Sequence, residues 1–382
     1  MKEQEIKLTF GEGVISGIIA LVLSSMCLLG VFAFYFPQYL TTPDLRSGYS
    51  TDFIRHLMFF ALIFAGALAT FNIARGLKYR GLKSRKYLGV LSWFLITCTL
   101  LLGSNTVDVG AYPAGKPYIG LDWLILDLLG SSLIFITIEK IYPFRKQPVF
   151  RLGWKTDLNH FLLNHLLIGL VLLLTNHFIN SAFGWLSNTG VAPLLQSLPF
   201  LGQLFLIILF ADLVQYWAHR AYHEIPWLWK FHAVHHSAKR MDWLAGSRQH
   251  ICEIILTRCL VLVPVMMLGF SKSVVDAYII IVGLQAVFNH ANVQMNFGRL
   301  GYFIVTPQFH HWHHSSDESA IDKNYAAHFS FLDYLFGTAV KGQAQWPKAY
   351  GVVGDYIPDG LWKQQLFPFK KEKKPSTENI AE

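Results

Sequence analysis

The chain has 382 residues, of which 53% are hydrophobic, 15% aromatic and only 15% charged, with a mean hydropathy of +0.36. Soluble domains carry about 25% charged residues, so the composition excludes an ordinary soluble enzyme and a disordered chain. The net charge of +8 reads as Lys and Arg retained on one side of a membrane, because no basic stripe accompanies a nucleic-acid-binding signature.

Apolar runs of bilayer length predict spans at Val14–Phe36, Ile54–Ala74, Tyr87–Gly103, Trp123–Ile141, Leu158–Asn176 and Phe200–Trp217. The first is too long for a secretory h-region and has no convincing cleavage site after it. A shorter pair follows, Ile254–Phe270 and Val274–Asn289, joined by Ser271-Lys272-Ser273 and interrupted by Pro264. It reads as a hairpin with both ends on one side. Lys2 and Lys7 precede the first span, and Arg46 is the one basic residue of the 37–52 loop. Six basic residues crowd 75–86, Lys116 is alone in 104–120, five lie in 140–155 and none in 178–199. Five more occupy 219–250, and nine follow residue 291. This alternation predicts a cytoplasmic N-terminus and places 219–250 and 291–382 on the same cytoplasmic side. The expected fold is all-α: a polytopic membrane helix bundle of about six spans plus the hairpin, with a histidine-rich, metal-binding cap on the cytoplasmic side.

The cysteines, Cys27, Cys98, Cys252 and Cys259, make no CxxC pair. A boundary is expected near Tyr142-Pro143, after four spans with little polar content. Residues 346–382 read as an interfacial segment ending in a basic, disordered tail beyond about Lys370, which anionic lipid would attract.

Histidine is the chemical signal. Of 16 in the chain, 12 lie between His219 and His328. His219 and His223 form HxxxH, continuing from the 200–217 run. His232, His235 and His236 form HxxHH, and His310, His313 and His314 form a second HxxHH. Residues at i, i+3 and i+4 share one helix face, so HxxxH offers two imidazoles on one face and each HxxHH offers three. Eight imidazoles exceed what one metal takes, which argues for two metals in a shared site. Imidazole suits Fe, Zn, Cu and Ni alike. The absence of Cys or Glu at ligand spacing argues against Fe–S and carboxylate-bridged sites. His290 and His250 are further candidate ligands. His311 and His328 read as structural or supporting, His160 and His165 as interhelical hydrogen-bonding groups, and His56 and His177 as ordinary surface or core histidines. Trp217, Trp227, Trp229 and Trp243 read as an interfacial belt. Carboxylates that could steady the rings are Asp212, Glu224, Asp242, Glu253 and Asp317. Asp212 is the candidate catalytic carboxylate acting through the ligands, because it lies within an apolar run, two turns before His219.

With Asp212, Tyr216-Trp217-Ala218-His219-Arg220, Leu228-Trp229-Lys230-Phe231-His232 and the closing Asn324-Tyr325-Ala326, Asp333 and Phe336-Gly337-Thr338, these motifs resemble the fatty acid hydroxylase and sterol desaturase superfamily. The resemblance covers roughly 150–340 and leaves the first 140 residues as membrane helices of unassigned role. It implies a catalytic domain over 143–345, following N-terminal helices at 1–142. It implies a non-haem di-iron centre bound by His219, His223, His232, His235, His236, His290, His310, His313 and His314, with O2 as co-substrate. Some members carry a further HxxxH here, whereas His290 is followed by Gln294. The implied reaction is hydroxylation or desaturation of an unactivated C–H bond in a lipid or sterol drawn from the bilayer, hydroxylation being favoured. The implied electron donor is external, of cytochrome b5 or ferredoxin type; no cytochrome b5 module is visible in the chain. A membrane di-zinc hydrolase using the same imidazoles, with zinc in place of iron, is the alternative.

Overall fold

The structure, a computed structural model, describes residues 14–42, 46, 48, 50–78, 83–110, 121–165, 181, 191–340, 345–354 and 357–370. The second half of the expected fifth span, His177, Lys2, Lys7, Lys116 and the basic tail lie outside the described residues. Among the described residues the chain is helical, without extended strands, and Ser315 pairs with Tyr350 in an isolated antiparallel bridge. It folds as two compact units, Met1–Val149 and Phe150–Glu382.

The first unit contains α1 (Val14–Tyr35), α2 (Thr51–Lys78), α3 (Lys83–Leu101) and α4 (Leu121–Ile141). Helices α1, α2 and α3 pack on one another around Cys27, Val31, Met58, Leu62, Ala65 and Ile96. Close approach uses small residues, as membrane helix interfaces do. A Cβ added at Gly17 would meet the Leu88 side chain at 3.0 Å, and one at Gly89 would meet the Ala69 carbonyl at 2.6 Å. Polar groups buried here are paired: the Asn72 amide donates to Ser16 Oγ (3.1 Å) and to the Leu68 carbonyl (2.8 Å). His56 donates from Nδ1 to the carbonyl of Asp52, one turn earlier on its own helix, at 2.7 Å. Among the described residues of this unit no metal-ligating side chains cluster.

The second unit opens with a helix over 154–165. It continues with α5 (Val191–Gln196), α6 (Phe200–Glu224), α7 (Pro226–His236), α8 (Ile251–Leu268) and α9 (Lys272–His290). Shorter helices α10 (Pro307–His313), α11 (Phe331–Leu335) and α12 (Leu361–Leu366) follow. Helix α6 packs against α8 and α9 around Ile207, Ala211, Val261, Val265, Val274 and Tyr278. A second core of Tyr216, Val305, Phe309, Tyr325, Ala326 and Leu332 lies at its C-terminal half.

Six helices among the described residues are long and apolar enough to cross a membrane: α1, α2, most of α3, α6, α8 and α9. Both hairpin arms are therefore full helices, of 18 and 19 residues. Gly269, at φ 72°, ends the first arm in the left-handed conformation that glycine adopts freely. Helix α6 runs past the expected end at Trp217 to Glu224, so the HxxxH lies inside it. It stops where Ile225 turns extended, and Pro226 then starts α7 with a preset φ. Thr306 caps α10 by accepting the Phe309 N–H, with Pro307 next to it.

Candidate metal centre

Helices α6, α7, α9 and α10 bring nine imidazoles together in two groups. The first, site A, holds His219 and His223 from α6, His232 and His236 from α7, and His313 from α10. The second, site B, holds His235 from α7, His290 from the end of α9, His310 from α10, and His314 just after it. Within each group one ring nitrogen from every residue lies within 4.8 Å of the others. The groups adjoin: the His236 ring stacks on His314 at 4.4 Å between centroids. The i, i+3, i+4 spacing produces this division directly, because α7 and α10 each send ligands to both sites.

The Nε2 atoms converge. They face each other at 3.0 Å (His219 and His232), 3.1 Å (His232 and His236), 3.2 Å (His235 and His290), 3.0 Å (His290 and His310) and 3.1 Å (His310 and His314). Between His219 and His232 and between His235 and His290 these are not hydrogen bonds, because both rings of each pair hold their proton on the opposite nitrogen. In site A, Nδ1–H donates from His219 to the Tyr325 carbonyl (2.7 Å), from His232 to Glu253 (2.7 Å), from His313 to the Lys323 carbonyl (2.8 Å) and from His223 to Asp322 (3.1 Å). In site B, Nδ1–H donates from His235 to the Arg248 carbonyl (3.0 Å) and from His290 to the Ala286 carbonyl (2.8 Å). Nε2 of His223 and His313 is buried with no hydrogen-bond partner among the described residues. Lone pairs held this close repel unless a cation lies between them, so the donor set fits two metal ions. Burial, reinforced by the neighbouring imidazoles, holds His232, His235, His236, His310, His313 and His314 well below the usual imidazole pKa. The rings are therefore neutral at pH 7, the form that binds metal.

The structure does not bring His250 to either group. Its Nδ1 accepts the Cys252 N–H (3.0 Å) as the N-cap of α8, and its Nε2–H donates to the Gln365 carbonyl (2.8 Å). Both nitrogens are committed, so no lone pair is left for a metal. Asp212 touches no ligand ring. Fully buried, it accepts the backbone N–H groups of Ala327 (2.9 Å), His328 (3.1 Å) and Phe329 (2.6 Å). It thereby pins the loop whose Tyr325 carbonyl orients His219.

Among the other carboxylates, Glu253 reaches a ligand and the rest do not. Glu224 pairs with Arg220, Asp317 caps a 3-10 turn, and Asp242 accepts from Arg151 and from the Leu244 and Ala245 N–H groups. His311 accepts the Tyr350 hydroxyl and donates to the His290 carbonyl, while His328 bonds Gln285. His160 bonds the Gln249 carbonyl and the Gln364 side chain. Sequence reasoning missed Asp322, which steadies His223 from a residue 99 positions away. Trp229, read as interfacial, packs against the rings of His223 (5.1 Å) and His236 (5.4 Å). It also lines a cavity of about 230 Å³ together with His223, His236, His313, Ile321 and Asp322.

A fatty acid hydroxylase family model matches residues 204–338, which contain all nine imidazoles. Ornithine lipid hydroxylase OlsE of Rhizobium tropici is 29% identical over 303 residues, covering 76% of this chain and 87% of that protein. Human (Homo sapiens) alkylglycerol monooxygenase is 32% identical over 127 residues, 33% of this chain and 28% of that protein. Very-long-chain aldehyde decarbonylase GL1-6 of Oryza sativa subsp. indica is 26% identical over 142 residues, 34% of this chain and 22% of that protein. No solved structure matches the chain. The convergent histidine motifs lie inside the segment that matches the fatty acid hydroxylase family, and the chain is similar to lipid hydroxylases and monooxygenases of the fatty acid hydroxylase and sterol desaturase superfamily.

Proposed function

We propose that the protein hydroxylates an unactivated C–H bond of a membrane lipid with O2, at a di-iron centre held by His219, His223, His232, His236 and His313 and by His235, His290, His310 and His314. The observation that carries this reading is the convergence of nine imidazoles in two adjoining groups. Iron bound there would supply an oxidant for a bond that no side chain can attack.

The chain's own residues supply the geometry. Backbone carbonyls, Glu253 and Asp322 hold the Nδ1 protons, so that Nε2 faces inward in one tautomer. Burial keeps bulk water from site B, whose four rings are all under 7% exposed. The cavity beside site A leaves room for a substrate carbon next to its ligands.

One observation favours iron over zinc. Site A offers five imidazoles, whereas zinc is almost always tetrahedral in structural sites and takes three protein ligands in catalytic ones. The relatives named as a hydroxylase of ornithine lipid and a monooxygenase of alkylglycerol support hydroxylation and a lipid substrate. The chemistry is assigned to residues 143–345, with substrate arriving from the bilayer. An external donor of cytochrome b5 or ferredoxin type delivers electrons on the cytoplasmic side, where the basic-residue pattern puts the N-terminus and the histidines.

The test compares lipids of cells with and without the protein under 18O2, alongside metal analysis of the purified chain. A labelled hydroxylated lipid that disappears in His313→Ala, with two irons per wild-type chain, is expected. Two zincs with O2-independent turnover would sink the reading. An unlabelled double bond would replace hydroxylation by desaturation.

A further inference from the structure

The two sites share helices but not the groups that orient their rings. Three of the five rings of site A depend on one loop. In the four residues from Asp322 to Tyr325, the Asp322 carboxylate, the Lys323 carbonyl and the Tyr325 carbonyl receive the Nδ1 protons of His223, His313 and His219. Asp322 and Asn324 adopt the left-handed conformation there, at φ 55° and 59°. Such backbone is disfavoured for residues other than glycine and persists where its surroundings fix it. Here they do: Asn324 donates to the Phe309 carbonyl (2.9 Å) and accepts the Val340 N–H (2.8 Å). Asp333 accepts the N–H groups of Tyr325 (2.8 Å) and Ala326 (2.9 Å), and Asp212 accepts the next three.

Site B depends on a different turn, over residues 242–248. Its Arg248 carbonyl receives the His235 Nδ1 proton. Gly246 lies against the His290 ring, and a Cβ there would sit 2.7 Å from Nδ1 and 2.9 Å from Cγ. A buried set of charges holds the turn. Arg248 donates to Asp157 (2.6 Å), Arg151 bridges Asp157 (2.7 Å) and Asp242 (2.6 Å), and Asp242 caps the turn. None of these four side chains touches a ligand ring.

We propose that each metal position has its own carboxylate-pinned backbone platform, Asp212–Asp333 under site A and Asp157–Arg151–Asp242–Arg248 under site B. The two metals are therefore loaded independently. This rests on the two-metal reading above. Asp333, Gly246 and Arg248 are positioning residues, so the readout is metal content and spectroscopy, with no reliance on turnover.

The full-length protein in lipid nanodiscs is loaded with 57Fe, and iron per chain and Mössbauer spectra are recorded. Wild type holds two irons. Gly246→Ala falls to one, because the His290 ring must move by several tenths of an ångström, and the doublet of site A persists. Asp333→Asn also falls to one but keeps the complementary doublet. Should either variant lose its monodisperse, helical state, Arg248→Lys and Thr338→Val replace them under chelator competition. Thr338 donates to Asp333 at 2.6 Å. Each milder variant is then expected to release one iron about tenfold more readily, and a different one. Equal loss of both irons, or retention of both with wild-type affinity, overturns the proposal. A wild-type chain binding fewer than two metals would instead refute the two-metal reading itself.

Discussion

Replacing Asp212 by Asn tests whether an intramembrane carboxylate serves as a backbone clamp. The carboxylate accepts three successive N–H groups, of Ala327, His328 and Phe329, two of them at 2.6 and 2.9 Å. Asn keeps one acceptor oxygen, which can hold Ala327 and His328, but turns an NH2 group toward the Phe329 N–H. One charge-assisted hydrogen bond is lost, at about 1.5–3 kcal/mol, and a buried donor is left unsatisfied, at about 1–3 kcal/mol. Allowing for relaxation, the cost is about 2–4 kcal/mol. For a unit of this size that lowers the melting temperature by about 5–15 °C. The assay is thermal unfolding of the metal-free protein in nanodiscs, followed by helical circular dichroism. Asp212→Ala removes every acceptor and should melt lower still. An Asn variant melting within about 1 °C of wild type would refute the clamp.

His250→Ala removes an N-cap and should cost about 1 kcal/mol while leaving two irons bound; lost iron would return His250 to the ligand set. Glu253→Ala leaves the His232 Nδ1–H unpaired and should weaken metal binding about 10–100-fold, measured by chelator competition; unchanged affinity would rule out its orienting role. The iron-free protein should lose stability on acidification. Its buried imidazoles have folded pKa values below the ordinary 6.5, so the unfolded chain takes up protons that the folded chain refuses. The stability present above about pH 6.5 is lost below it, by about 0.8 kcal/mol per ring between pH 7.5 and 6.0. Denaturant midpoints at the two pH values measure this, and a flat profile would show that the rings protonate in place.

The ligand-bearing part of the site was legible because helix geometry converts i, i+3, i+4 spacing into convergence. His219, His223, His232, His235, His236, His310, His313 and His314 could be grouped from spacing alone, and His290 stood as a candidate at the end of the hairpin. The supporting groups were not legible, for separate reasons. Carbonyl acceptors such as those of Lys323, Tyr325 and Arg248 exist at every residue, so no side chain announces them. Asp322 meets His223 only through long-range packing. Glu253 could be named among five carboxylates but not singled out. His250 misled because its side chain accepts the N-cap hydrogen bond, a place where Ser, Thr, Asp and Asn are the usual residues. The apolar run in α6 ends near Trp217, yet the following Ala218 to Glu224 sequence still favours helix. Hydropathy marked the end of the apolar run and missed the helix end.

The unbroken course of α6 makes it a ruler. At 1.5 Å per residue, His219 lies about 28 Å along the axis from Phe200, close to the ~30 Å thickness of a bilayer's hydrocarbon core. No joint within Phe200–Glu224 can change that height. The imidazoles of His219 and His223 are therefore held at a fixed distance along the axis from the Phe200 end of the helix, and any ion they bind would share that fixed position.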